Sequence, residues 1–257
     1  MAETLILLRR SMIEGKFAAI MLLSLAAAVA LLLAAFPAWA APEPAGRAGI
    51  ITGTVSIERA AERRTLKAGD PVFVEDRIIT GPESSAEIVF VDENRMKLAA
   101  NTDLEITDYI CDPSEKIRQG LVSLAYGKAR FTVRGVHELP DERFRVATRT
   151  GLVVSGDSDF IVTYDRERPN DEVCRDGLMA ALCLENFVIV MSLEFEGKPA
   201  VLTSNMISRV CGPSMPAPPR FATPAESAAI PAGLDRIANT RTTPPEPPEN
   251  PTDCSTK

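Results

Sequence analysis

Between residues 49 and 211 the chain is a succession of short apolar or alternating runs, broken by turn residues every 8 to 14 positions. Runs of that length, repeated that regularly, favour strands over helices. They fall at 50–58, 72–80, 86–91, 95–99, 104–110, 121–126, 129–134, 144–148, 152–155, 160–164, 187–195 and 199–203. The punctuation is Gly69-Asp70, Gly81-Pro82, Asp92-Glu93-Asn94, Gly127-Lys128 and Gly156-Asp157, all suited to turns. Arg130-Phe131-Thr132-Val133-Arg134 and Arg143-Phe144-Arg145-Val146 alternate cleanly, as strands with one wet and one buried face do. The expectation is an all-β single domain, built as a sandwich, a barrel or a solenoid. Residues 177–184 also accommodate a helical turn, and no strict repeat of fixed period is present.

The ends of the chain read differently. Arg9, Arg10 and Lys16 precede twenty uncharged residues, 17–36, followed by Ala38-Trp39-Ala40 and Ala41. A basic start, an apolar stretch and an A-x-A end make a secretory signal peptide over residues 1–40. An uncleaved membrane anchor is the competing reading, because ~20 apolar residues cross a bilayer. Either way the remainder is exported, to the periplasm or beyond. Removing three basic and two acidic side chains from the chain's 28 and 35 leaves a net charge of −8. That acidity argues against nucleic acid or an anionic membrane surface as the main partner. Residues 41–48 read as a linker. Residues 212–257 hold eleven of the twenty prolines and read as a disordered spacer, with a helical turn placed near 225–239.

Five cysteines, at 111, 174, 183, 211 and 254, suit disulfides in an exported chain. Cys254 lies in the proline-rich tail and is the odd one out. The other four permit three pairings, of which we favour Cys174 with Cys183 and Cys111 with Cys211. No C-x-x-C is present and the single histidine, His137, sits in a loop pattern, so zinc is not expected.

The stretch from Gly53 onward resembles the FecR-like periplasmic domain family. The likeness begins at Gly53-Thr54-Val55 and runs through Leu66-Lys67-Ala68-Gly69-Asp70. It is densest in Asp76-Arg77-Ile78-Ile79-Thr80-Gly81, Ser85-Ala86-Glu87-Ile88-Val89-Phe90 and Asp92. Leu98, Thr102-Asp103-Leu104-Glu105-Ile106, Gly127, Phe131 and Phe144-Arg145-Val146-Ala147-Thr148 continue it, so that it spans residues 50–165 and, more loosely, reaches 211. Two departures stand out. The family's Val-Arg-Gly-Thr reads Val154-Ser155-Gly156-Asp157 here, and its Glu-Gly turn reads Glu185-Asn186, where Asn can take a positive φ in place of Gly. The resemblance implies a non-catalytic interaction or sensory module with a protein partner in the cell envelope. Only sixteen residues precede the apolar run, too few for a folded cytoplasmic domain, so the resemblance does not carry the family's sigma-factor regulation to this chain.

Nothing in the residues themselves assembles a reaction centre, and neither catalytic residues nor cofactors are expected. Asp157-Ser158-Asp159 lacks the frame of a nucleophile elbow and the ligand spacing of a calcium loop. The candidate binding feature is a set of arginines, Arg130, Arg134, Arg143 and Arg145, which strand spacing places in pairs on single faces. Its occupants would be an acidic partner or a cell-wall polymer. A membrane-tethered structural role through residues 17–36 is the alternative function. The oligomeric state is open.

Overall fold

Two long strands organise the molecule: β9 (Ile117–Val133) and β13 (Leu178–Ser192), each of which leaves one sheet and enters a second. The computed structural model describes residues 42–112, 114–115, 117–135, 141–167, 172, 174–212 and 214–234. Every element below lies within residues 43–257. The expected signal segment over residues 1–40, His137 and Cys254 lie outside the described residues.

The switch along β9 can be read residue by residue. Arg118, Gly120, Val122 and Leu124 are buried, and so are Ala129, Phe131 and Val133, so the buried phase shifts by one position. A strand alternates with a period of two, and such a shift requires an irregularity between the halves. It is centred on Gly127, at φ 102°, where a Cβ would lie 2.6 Å from the Thr102 backbone. Gly127-Lys128, expected to be a turn between two strands, is therefore a kink within one. The equivalent break in β13 is Asn186, at φ 60°, in the place where asparagine was expected to substitute for glycine.

Sheet A follows the order β4 (Pro71–Val72), β1 (Gly46–Thr52), β6 (Ser85–Phe90), β7 (Arg95–Leu98), the second half of β9, β12 (Ser158–Asp165), the first half of β13, β15 (Met206–Cys211) and β16 (Arg220–Phe221). Sheet B follows β3 (Glu62–Thr65), β2 (Val55–Arg59), β5 (Arg77–Thr80), β8 (Asp103–Asp112), the first half of β9, β10 (Asp141–Ala147), β11 (Gly151–Ser155), the second half of β13 and β14 (Ala200–Thr203). All pairs are antiparallel except β9 with β10. Strands β9, β10, β11, β13 and β12 close into a five-stranded barrel. The all-β expectation holds, with barrel closure at one end. Residues 178–183, where a helical turn was admissible, are strand.

The inward row of sheet B reads Val122, Val146, Val153, Val190 and Ala200 across five neighbouring strands, and all five are buried. The core continues through a chain of aromatic rings. Tyr109 stacks on Phe90 at 4.4 Å, Phe144 lies 6.1 Å from Phe90 and 5.5 Å from Phe131, and Phe160 lies 5.3 Å from Phe131. Rings at these separations add about 0.5–1.5 kcal/mol per pair beyond their area burial.

Two stretches read as linker or spacer carry structure. Strand β1 begins at Gly46, inside the expected lead-in. Residues 214–234 form a strap over the outer face of sheet A, holding β16 and the helix α1 (Pro224–Ala229). Thr223 and Glu226 make a capping box for α1, and Pro224 occupies a first-turn position, where its missing N–H costs nothing. Ile230, Ala222 and Leu234 cover Ala99, Ile161, Ala180, Leu182 and Ile207. Pro224 opens α1 and Pro231 lies in a turn, so proline content here does not preclude structure, and α1 overlaps the helical turn expected near 225–239.

The disulfide pairing also differs from the one favoured on sequence. Cys174 is bonded to Cys211, with Cα atoms 4.6 Å apart, and Cys183 is a buried free thiol. Strand register gives the reason. Cys211 lies opposite Leu178, beside the turn that carries Cys174. Cys183 is five residues further along β13, roughly 17 Å at strand rise, beyond the ~7 Å a disulfide spans between Cα atoms. Cys111, near the end of β8, is also disulfide-bonded, and its pairing with Cys211 is excluded by the Cys174 bond.

Candidate functional site

The polar residues singled out by their ordering in the sequence are engaged within the fold. Asp76 is fully buried and accepts hydrogen bonds from Arg59 Nε, from Arg59 Nη2 at 2.7 Å and from the Phe73 N–H at 2.8 Å. The bond from Asp76 holds the Arg59 guanidinium above its usual pKa, and the same guanidinium lies 4.0 Å over the Phe73 ring. Thr80 Oγ1 donates to the Ala99 carbonyl at 2.6 Å and accepts from the Thr102 N–H at 2.9 Å. Ser84 Oγ accepts from the Thr54 N–H at 2.9 Å and donates to the Pro82 carbonyl. Asp103 accepts from Arg77 Nε at 2.7 Å and from Arg77 Nη2. The Arg59–Asp76, Arg77–Asp103, Thr80–Thr102 and Thr54–Ser84 bonds join segments 17, 26, 22 and 30 positions apart.

One buried charge escaped the sequence reading. Arg118, 3% exposed, donates to Asp92 Oδ2 at 2.7 Å, to the Asp92 carbonyl at 2.8 Å, to Asn94 Oδ1 at 3.0 Å and to the Arg134 carbonyl. Asn94 also accepts from the Arg134 N–H and donates to the Tyr109 hydroxyl, whose burial holds its pKa well above the usual value. The signal was available. Arg118 is in period-two phase with Val122 and Leu124, so alternation alone puts it on the inward face. Its partner Asp92 was read as a turn residue, and the turn is real: the Asn94 N–H donates to Asp92 Oδ1.

The four candidate arginines do not share one surface. Arg130 belongs to sheet A and is paired bidentately with Asp159, at 2.9 and 2.7 Å. Arg134 follows the end of β9, with its backbone held by Asn94 and Arg118. Arg143 and Arg145 lie two residues apart on β10 and face outward from sheet B. There Arg145 belongs to a row that reads Leu121, Arg145, Val154, Ile189 and Val201 across β9, β10, β11, β13 and β14. Ser123, Ala147, Leu152 and Met191 form the adjacent outward row. Val201 and Phe187, at the β14 edge, are 50% and 53% exposed.

Among the described residues no group of three or more His, Cys, Asp or Glu side chains is placed to hold a metal. An open surface cleft of about 380 Å³ is lined by Tyr126, Gly127, Tyr164, Asp165, Arg166 and Glu167. The Arg166 guanidinium lies 4.8 Å over the Tyr126 ring, and the Tyr164 hydroxyl donates to the Asp176 carbonyl. Asp157 Oδ1 accepts from the Gly135 N–H, as a turn residue would. Burial pushes the Cys183 thiol up to about 11, and it donates to the carbonyls of Glu185 and Asn186. A thiol held neutral in this way is a poor nucleophile.

Residues 76–176 match the family described as FecR protein. The match starts at Asp76, where the ordered motif is densest, and leaves Gly53–Asp70 outside it. No curated protein matches the chain. Among solved structures, two crystal structures of a candidate anti-sigma factor from Parabacteroides distasonis are similar. One is 20% identical with a TM-score of 0.43, covering 60% of this chain and 63% of that one. The other is 21% identical with a TM-score of 0.44, covering 60% and 62%. The chain thus spans a little under two thirds of the length of each.

Proposed function

From the FecR-type domain that the chain carries over residues 76–176, we propose that this protein is an exported, non-catalytic binding module in a signalling or sensory system of the cell envelope. The observation that carries the reading is the engagement of the domain's own polar motif. Asp76, Thr80, Ser84, Asp92 and Asp103 all face structural partners, so recognition is left to the outer surface of the sheets.

Export has separate support. The Cys174–Cys211 bond closes the turn before β13 onto β15, and such bonds persist in oxidising compartments. Among the described residues no helix is long and apolar enough to cross a membrane.

The test is fractionation with thiol trapping, combined with photocrosslinking residues placed over exposed positions of both sheets in intact cells. The reading expects an oxidised Cys174–Cys211 pair in the extracytoplasmic fraction and a discrete protein adduct. A reduced pair in the cytosol, or no adduct from any position, overturns it.

A further inference from the structure

The two sheets carry nearly the same outward row, and among the described residues only one of them is covered. On sheet A the row reads Arg130, Ile161, Leu182 and Ile207 across β9, β12, β13 and β15. Arg130 has its carboxylate, Asp159, and the three aliphatic residues lie under Ile230, Leu234 and Ala222 of the strap. A basic residue two positions before Arg130 fastens that cover. Lys128 Nζ donates to the carbonyls of Ala229 and Ala232, at 3.1 and 3.0 Å, and burial lowers its pKa.

On sheet B the corresponding row is Arg145, Val154, Ile189 and Val201. No described segment lies over it in the way the strap lies over sheet A. Arg145 makes no ion pair among the described residues, and its Nε is shut off from solvent without a hydrogen-bond partner. That nitrogen is enclosed by the chain itself, so a partner reaches Arg145 only through the outer nitrogens of its planar fork, for which a carboxylate is the matching acceptor. The aliphatic residues beside it, with Leu152 and Met191 in the next row, extend the apolar strip toward the free edge at β14.

Resting on the proposed binding role, we infer that the outer face of sheet B between β9 and β14 is the docking surface, and that its partner is a protein segment presenting aliphatic side chains around one carboxylate. The carboxylate pairs with Arg145, and the aliphatic side chains cover Val154, Ile189 and Val201, as the strap covers sheet A. On sheet A the strap supplies the aliphatic half of this chemistry, while the carboxylate comes from Asp159 of β12 within the sheet.

A displayed library of random dodecapeptides, panned on the full chain, tests the assignment. The expected binders carry an Asp or Glu among aliphatic residues. Their affinity falls about tenfold or more with Arg145→Gln, the scale of one desolvated charged hydrogen bond. Arg145→Glu turns the selection toward Lys and Arg, and Val154→Asp abolishes it. Val201→Lys, at a half-exposed site, guards against a Val154→Asp variant that fails to fold. Four outcomes overturn the inference: no enrichment, enrichment without carboxylates, binding unaffected by these substitutions, or a dimer that Val201→Lys dissolves in sedimentation. Crosslinked adducts in cells that survive Val201→Lys would sink the inference alone, whereas adducts missing from every surface would sink the binding role itself.

Discussion

At the scale of single residues, the fold is fastened by carboxylates that look from sequence like ordinary turn formers. Asp76 is the sharpest case. Its oxygens accept from Arg59 and from the Phe73 N–H, and it has no exposed surface. Asp76→Ala strands a buried amide and leaves the Arg59 guanidinium without its anion. Because Arg59 is itself 42% exposed, water recovers part of that loss. The expected cost is therefore about 2–3 kcal/mol rather than the larger figure for a fully buried pair. It is read as a lower urea midpoint with an unchanged m-value; a shift within experimental error would mean that the Asp76 bonds add nothing to stability. The motif was legible as a string of turn residues, because Asp, Ser and Gly are recognisable as punctuation. Its bonding was not, because the partners of Asp76 and Asp103 lie 17 and 26 residues away and only the tertiary fold brings them together.

At the scale of elements, what sequence alternation missed is continuity. Runs 121–126 and 129–134 were correct as extended segments, but Gly127 joins them through a positive φ rather than reversing the chain. A glycine that turns a hairpin and one that kinks a strand have the same local sequence, and only the pairing partners on either side separate the cases. Gly127→Val tests the kink. A β-branched residue is strained at φ 102°, and its Cβ would sit 2.6 Å from the Thr102 backbone. The variant should lose about 3 kcal/mol or more, because strain and overpacking add. Calorimetry would register this as a lower Tm, and wild-type stability in the variant would contradict the shared-strand geometry. The strap makes the complementary point. Its helix signals, Thr223, Pro224 and Glu226, open the helical turn expected near 225–239, but the proline-rich composition around them argued for disorder in the rest of the strap. A chain ending at Gly212 should bind a hydrophobic dye through Ile161, Leu182 and Ile207 and unfold at a lower temperature. Identical dye binding by the two chains would show that the strap covers nothing.

At the scale of the whole molecule, the Cys174–Cys211 bond decides how the barrel end is held. Closure of the ring depends on β13 pairing with both β12 and β11, and the turn that launches β13 is the one the disulfide ties to β15. The two cysteines are 37 positions apart. Loop-closure entropy for a ring of that size amounts to roughly 4 kcal/mol, before any change in the native state. Loss of this bond alone, in Cys174→Ala, should therefore lower stability by roughly 3–4 kcal/mol while leaving the β2–β5–β8 end of sheet B protected in hydrogen exchange, because its strands pair without reference to Cys174 or Cys211. Reductant added to that variant should contribute only the loss that belongs to the Cys111 bond. The first barrel strands, β9 to β12, precede Cys174, and β15, which ends at Cys211, follows β13. If the Cys174→Ala variant lost exchange protection along β2, β5 and β8 as early as along β12 and β13, the molecule would be one cooperative unit and the Cys174–Cys211 bond its common fastening, not a local latch on the barrel.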